Sequence, residues 1–205
     1  TELDPGDGGA ATNDDSQLVI GMGDMGTIGF YDSEGGLSKE IGYGVGALGT
    51  GTDYGNTMTV QYGGTVSSYP NVQYHLPADM LPFGIGLKVG YVPNTTDGSG
   101  NSFKNAGPEQ TNSLGGDTAT QYQVTAAPMD GLSIGADYYS TDDGTATAQD
   151  YESGNYYAQY AMGNWKVGYN KGYYAPAFTT DKNGSVTMYE NTAWGIEFAI
   201  NDALS

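Results

Sequence analysis

Few residues in this chain could do chemistry, and their spacing excludes most of what they could do. Gly21-Met22-Gly23-Asp24-Met25-Gly26 follows the apolar run Leu18-Val19-Ile20 and matches the G-x-G-x-x-G fingerprint of dinucleotide binding. That chemistry needs a helix to begin at the glycines, so that its N-terminus can hold a pyrophosphate. The next residues, Thr27-Ile28-Gly29-Phe30-Tyr31, alternate as a strand instead, so the glycines read as a tight β-turn at Gly23-Asp24. His75 is the only histidine and no G-x-S-x-G occurs, which leaves a serine triad nothing to build on. The acidic groups Asp4/Asp7, Asp14/Asp15 and Asp142/Asp143/Asp150 match neither an EF-hand nor a nonapeptide calcium repeat, and read as solvated loop carboxylates. Paired carboxylates can cut a glycosidic bond, but nothing singles out one pair here. The expectation is a non-enzyme with no catalytic, cofactor or metal site.

Charge narrows the partners. The chain carries 24 acidic and 6 basic residues, a formal net charge of −18, and all the basic residues are lysine. Without a basic surface to neutralise phosphates, nucleic acid is excluded as a partner. The acidity suits exposed loops or a surface that favours cations. The absence of cysteine removes disulfides, thiol catalysis and cysteine-held zinc. No run of about 18 apolar residues exists to make a transmembrane helix, but a barrel needs only alternate residues to be apolar. No signal peptide is recognisable at Thr1. The N-terminus reads as the middle of a loop, and Asn201-Asp202-Ala203-Leu204-Ser205 as a turn opening another strand, so a piece of a longer protein is expected.

The elements that position these residues are strands. With 34 Gly and 18 Tyr, the composition suits twisted strands and turns better than helices. Nine strands are expected, at 16–22, 25–31, 70–76, 83–92, 118–127, 131–140, 155–162, 164–173 and 192–200, and residues 1–15 are expected to be loop. From Phe83 to Tyr91, Phe83, Ile85, Leu87, Val89 and Tyr91 share one face, and the other holds only Gly and Lys88. In 131–140, Leu132, Ile134, Ala136 and Tyr138 oppose Ser133, Gly135, Asp137 and Tyr139. Trp165, Val167 and Tyr169 oppose Lys166, Gly168 and Asn170 in 164–173, and Trp194, Ile196, Phe198 and Ile200 oppose Gly195 and Glu197 in 192–200. By the same parity His75 joins Asn71 and Gln73 on a polar face near a short turn.

Connection lengths carry a second signal. Tight turns fall at Gly23-Asp24, Pro77 to Pro82, Pro128 to Gly131 and Gly163-Asn164. Long polar stretches, 32–69, 93–117, 141–154 and 174–191, fall between them. In an up-and-down meander every second connection lies at the same end, so all short turns share one rim and all long loops the other, as in outer-membrane barrels. A soluble sandwich gives no reason for that asymmetry. Tyr31, Tyr74, Tyr91, Tyr122, Tyr138, Tyr156, Tyr160, Trp165, Tyr169 and Trp194 tend towards strand ends, where interfacial girdles place such rings. Segment 32–69 is long enough to be functional, with an extra strand open at 56–62.

In their order, these segments resemble the bacterial general porin family, nearest its alphaproteobacterial type. Asp24 to Phe30 resembles the strand before that family's constriction loop, and Asn71 to Pro77 with Gly84 to Tyr91 resembles the strand pair after it. Asp130 to Tyr138 and Gly163 to Tyr169 resemble later hairpins. The resemblance runs over most of residues 12–205, through short motifs. It implies a sixteen-stranded antiparallel transmembrane β-barrel, usually a homotrimer, in the Gram-negative outer membrane. Such a barrel passively passes small hydrophilic solutes and ions, and its third loop folds inward. This chain would be part of one, a single region over 1–205, mildly cation-selective. By that likeness 32–69 is the constriction loop, with Asp32, Glu34, Glu40 and Asp53 at the eyelet, and Lys88, Lys166, Asp137 and Glu197 on the lumen wall. The family's early-strand basic cluster and terminal aromatic strand have no counterpart here, and the lack of Arg departs from its usual eyelet. Two other classes stay open: a Gly/Tyr-rich extracellular β-sheet surface or adhesion protein, and a barrel enzyme or specific transporter.

Overall fold

In a computed structural model of the chain, the residues described are 2–4, 12–15, 17–31, 35–37, 65–66, 71–93, 118–142, 150–175 and 188–200. They are almost entirely strand: β1 (Glu2–Asp4), β2 (Thr12–Asp15), β3 (Gln17–Gly21), β4 (Thr27–Tyr31), β5 (Asn71–Leu76), β6 (Gly86–Val92), β7 (Thr118–Met129), β8 (Leu132–Asp142), β9 (Glu152–Met162), β10 (Trp165–Ala175) and β11 (Tyr189–Phe198). β1 and β2 pair as a small antiparallel hairpin. The other nine form one antiparallel sheet in strict sequence order from β3 to β11, so the protein is an all-β, up-and-down meander. No helix among the described residues is long and apolar enough to cross a membrane, which says nothing of strands.

Each expected strand is present, with shifted ends. Residues 25 and 26 do not join β4, because Gly23–Met25 closes a single 3-10 turn and Gly26 takes φ +86°. β6 starts at Gly86 rather than 83, because Pro82–Gly84 makes a second 3-10 turn in which Phe83 itself has φ +63°. Phe83 is thereby an exposed turn residue, not a strand residue. The loop expected over 1–15 contains β1 and β2; strands of 3 and 4 residues are too short to show a periodicity. The extra strand open at 56–62 lies outside the described residues.

The long strands are local consequences of alternation. β8 and β9 of 11 residues each flank tight turns, and 11 residues is about what a tilted strand needs to cross a bilayer. Gly131 closes the β7–β8 turn at φ +78°, and a Cβ there would collide with the Ala161 carbonyl oxygen of the next hairpin. The β7–β8 register slips between Ala126 and Met129, a stretch that contains Pro128, which has no N–H for the ladder. The four short connections, after β3, β5, β7 and β9, share one rim. The long ones, 32–70, 93–117, 143–151 and 176–188, share the other.

The two faces are sorted against the usual rule. One carries Phe30, Val72, Tyr91, Tyr122, Val124, Ile134, Tyr156, Trp165, Val167, Trp194, Ile196 and Phe198, all exposed, with Trp194 at 78%. The other carries Asn71, Gln73, Gln121, Gln123, Asp137, Asn155 and Asn170, all buried. A soluble sheet turns its large apolar chains inward, because each is worth about 1.5–3 kcal/mol when buried. This sheet does the reverse. On the apolar face, Tyr122 stacks with Tyr138 at 6.5 Å, Tyr156 meets Tyr169 at 6.4 Å, and Trp165 meets Phe198 at 4.5 Å. Tyr31 departs from the expected girdle: register parity puts it with Gly29 on the polar face.

Candidate functional site

The polar face is the candidate site, and strand register builds it row by row. Thr27, His75, Lys88, Gln123, Asp137, Asn155 and Gly172 are successive cross-strand partners from β4 to β10. Two expected wall residues, Lys88 and Asp137, thus fall in one row with Gln123 between them. Asp137 is 4% exposed, and its Oδ2 accepts from both Gln121 Nε2 and Gln123 Nε2 at 2.7 Å. Two donated bonds hold that carboxylate in the wall, so it acts first as a node that orients amides. Lys88 is half-buried beside His75, whose Nε2 lies 2.9 Å from Gln73 Oε1. Lys166 and Glu197 are register partners between β10 and β11, half-buried at the short-turn end of the same face.

These four wall residues are two lysines and two carboxylates, so their formal charges cancel. The expected loop carboxylates Asp32, Glu34, Glu40 and Asp53 lie outside the described residues. Two short pieces of their connection are described, and both lie on the polar face. Leu37 N–H donates to Val66 O at 3.3 Å. Val66 N–H donates to Gln121 Oε1 at 2.7 Å, and Gln73 Nε2 donates to Gly35 O.

An apolar clasp fixes these pieces. Leu37 and Val66 form a buried cluster with Val92 of β6, Ala119 of β7, Tyr139 of β8 and Tyr151 from the connection before β9. Tyr151 packs edge-on to Tyr139 at 5.6 Å and accepts at its carbonyl from Thr141 N–H at 3.0 Å. Gly90 makes the approach possible: a Cβ there would lie 2.9 Å from Val66 Cγ2 and 3.2 Å from Leu37 Cδ2. The polar face is therefore in two halves. Towards the long connections it is buried, from Gln73 and Gln121 to Tyr139 and Ser153. Towards the short turns His75, Lys88, Thr125, Ser133, Gln159, Lys166 and Glu197 keep partial exposure.

Sequence reading missed Gln121 and Gln123 as structural members of this face, whereas Asn155 falls there by the parity of 155–162. Their signal was present: Gln121-Tyr122-Gln123 alternates, and an amide on every second residue beside an exposed Tyr marks a polar face. Leu37, Val66 and Tyr151 carried no such signal, since each is an isolated apolar residue in a polar stretch. Among the described residues no group of three or more His, Asp or Glu side chains is placed to hold a metal ion. No protein-family model, curated protein or solved structure matches this chain.

Proposed function

We propose that this chain is part of an outer-membrane porin of the general porin type. It passively conducts small hydrophilic solutes and ions through a water-filled lumen and is not an enzyme. The observation that supports this reading best is the inversion of the sheet: large apolar side chains exposed on one face, carboxamides and charges buried or half-buried on the other. A lipid surround makes that arrangement favourable, since the bilayer covers the apolar face and the lumen hydrates what the polar face leaves open. The one-rim grouping of long connections fits the same architecture, as do strands of 11 and 12 residues.

On this reading 32–69 is the constriction loop, seated by the Leu37–Val66 clasp. Permeation runs past the half-exposed wall at Lys88, His75, Lys166 and Glu197. Because the four wall charges cancel, the mild cation selectivity comes from loop carboxylates, Asp32, Glu34, Glu40 and Asp53 among them. β3 and β11 end the sheet, and unpaired strand edges are costly in lipid, so further strands or neighbouring subunits pair with them. Homotrimeric assembly belongs to the same proposal. The test is reconstitution of the full-length protein in planar bilayers. Stepwise ohmic conductance, with vesicle flotation that requires lipid, is the expected result. Solubility without detergent and no conductance would instead favour the extracellular β-sheet protein.

A further inference from the structure

At the short-turn end of the polar face, register gathers polar side chains around a small pocket. His75, Lys88 and Gln123 are cross-strand partners in one row. In the next row towards the turns, Gly86 pairs with Thr125. Gly86 lets the Thr125 hydroxyl lean over its strand: a Cβ there would lie 3.0 Å from Thr125 Oγ1 and 3.6 Å from Ala78 Cβ. Together with Pro77 and Ala78 of the β5–β6 turn, these residues line a cavity of about 190 Å³. That is smaller than the sites of drug-sized ligands and suits an anion of a few heavy atoms. His75, Lys88 and Thr125 keep partial exposure, whereas Gln123 is buried and forms a wall.

Neighbouring hydrogen bonds fix what the histidine offers a ligand. Gln73 Nε2 donates to the Gly35 carbonyl and, at 2.9 Å, to Asn71 Oδ1, so Gln73 Oε1 is an acceptor. His75 Nε2 lies 2.9 Å from that oxygen and therefore carries the proton. In the neutral ring the other nitrogen, Nδ1, is then an acceptor. Lys88 beside it is a donor only, and the Thr125 hydroxyl can donate. The pocket thus presents one positive charge, one hydroxyl and one acceptor lone pair. A matching ligand carries negative oxygens and an O–H of its own. Hydrogen phosphate has both; sulfate is also tetrahedral but holds no proton at neutral pH. Carboxylates stand back from the pocket. Asp137 is two strands from Lys88, about 10 Å by strand spacing, and its Oδ2 accepts from two amides. Asp79 is exposed on the turn and does not line the cavity.

We propose that this pocket binds hydrogen phosphate, with anionic oxygens on Lys88 Nζ and Thr125 Oγ1 and the P–OH donated to His75 Nδ1. The inference needs only the polar face; in a channel the pocket is one phosphate station on the path, and the sign of selectivity still lies with the loop. It is tested by isothermal titration calorimetry on the full-length protein in non-ionic detergent, at pH 7.5 and low salt. The probes are inorganic phosphate, sulfate and methyl phosphate, a monoester that has mostly lost its O–H at that pH. Phosphate binds about tenfold more tightly than sulfate, a ratio that one mismatched hydrogen bond supplies. Methyl phosphate follows sulfate. His75→Phe brings phosphate down to the sulfate affinity, and Lys88→Gln removes binding of both, with strand content by circular dichroism retained. Thr125→Val, a change at a half-exposed site, weakens both anions several-fold and serves if Lys88→Gln does not fold. Equal affinity for phosphate and sulfate in the parent overturns the proposal. So does the absence of millimolar phosphate binding, or phosphate binding indifferent to Lys88→Gln or to Thr125→Val. Bilayer conductance separates this proposal from the porin reading. A protein that conducts without binding phosphate loses only the pocket, and one that binds phosphate without conducting keeps the pocket and loses the channel.

Discussion

Val66 N–H donates to Gln121 Oε1 at 2.7 Å, joining residues 55 positions apart. Both residues are buried. The Gln121 amide in turn donates to Asp137, so one side chain ties the 32–70 connection to a carboxylate two strands from Lys88. Gln121→Leu removes the acceptor and leaves a buried N–H unmatched, at a cost of about 1–3 kcal/mol. The expected result is a lower midpoint of denaturant unfolding and noisier single-channel current. An unchanged midpoint with quiet current would mean that the connection is held elsewhere.

Gly90 is the seat of the same connection. Gly90→Val places new atoms against Val66 Cγ2 and Leu37 Cδ2, and overpacking of this kind costs about 1–3 kcal/mol. β6 is held by ladders to β5 and β7 on its two sides and can keep them, so the displaced partner is the connection. Larger unitary conductance and faster uptake of bulkier sugars into proteoliposomes are expected, with the strand content by circular dichroism retained.

Facing is testable residue by residue. Single cysteines at Val89, Tyr91, Ile134, Trp165, Ile196 and Phe198 lie on the apolar face, and those at Lys88, Ser133, Lys166 and Glu197 on the polar one. A membrane-impermeant thiol reagent applied to intact membranes should label the second group and spare the first. Strong labelling of the first group would place that face in water.

Charge placed on the two faces should cost different amounts. On the porin reading, Arg at Ile134 or Ile196 would meet lipid near midplane and destabilise by about 2–4 kcal/mol, whereas Arg at Ser133 would meet a wet lumen and cost little. Both isoleucines are exposed on the isolated chain, so in plain water the substitutions would be close to neutral. Unfolding in lipid vesicles reads the difference, and equal costs on the two faces would point to another architecture.

Selectivity should follow the loop rather than the wall. Replacing Asp32, Glu34, Glu40 and Asp53 together with Asn or Gln reduces cation preference, with only a modest change in conductance. Exchanging Lys166 and Glu197 leaves the sum of wall charges unchanged and so leaves the preference nearly intact. Exposed charges more than about 8–10 Å from the path are screened in ordinary salt, which keeps the effect local. Reversal potential across a salt gradient measures both. Anion preference in the parent, or no shift in the quadruple variant, would remove this loop from the eyelet.

Alternation is a local property, and it made much of the sheet legible. Ile134 and Ser133 differ in polarity because adjacent strand residues must point to opposite faces, so the sequence alone determined which side chains travel together. It also determined which strands pair across the tight turns, because those at Gly131 and Gly163 permit only antiparallel neighbours, while the pairings across the long connections were decided by the tertiary structure. It placed His75 beside Asn71 and Gln73 by parity.

Strand ends were less legible. The 3-10 turns at Gly23–Met25 and Pro82–Gly84 continue the same residue types as the strands they precede. Which face is covered could not be read from parity, because the same pattern serves a soluble sheet and its inverse. Tertiary structure decided that, by burying Gln121 and Asp137 and exposing Trp194 and Ile196. It also decided the clasp. Leu37, Val66 and Tyr151 are isolated in sequence and become a cluster only when distant connections meet on one face. Gly154 is of the same kind: a glycine with unremarkable neighbours in sequence, placed by register between two tyrosines from other strands, with the Tyr173 ring lying over it. Local sterics fix period and turn, while contacts across 50 or more residues depend on register summed over the whole sheet, which no short window of residues contains.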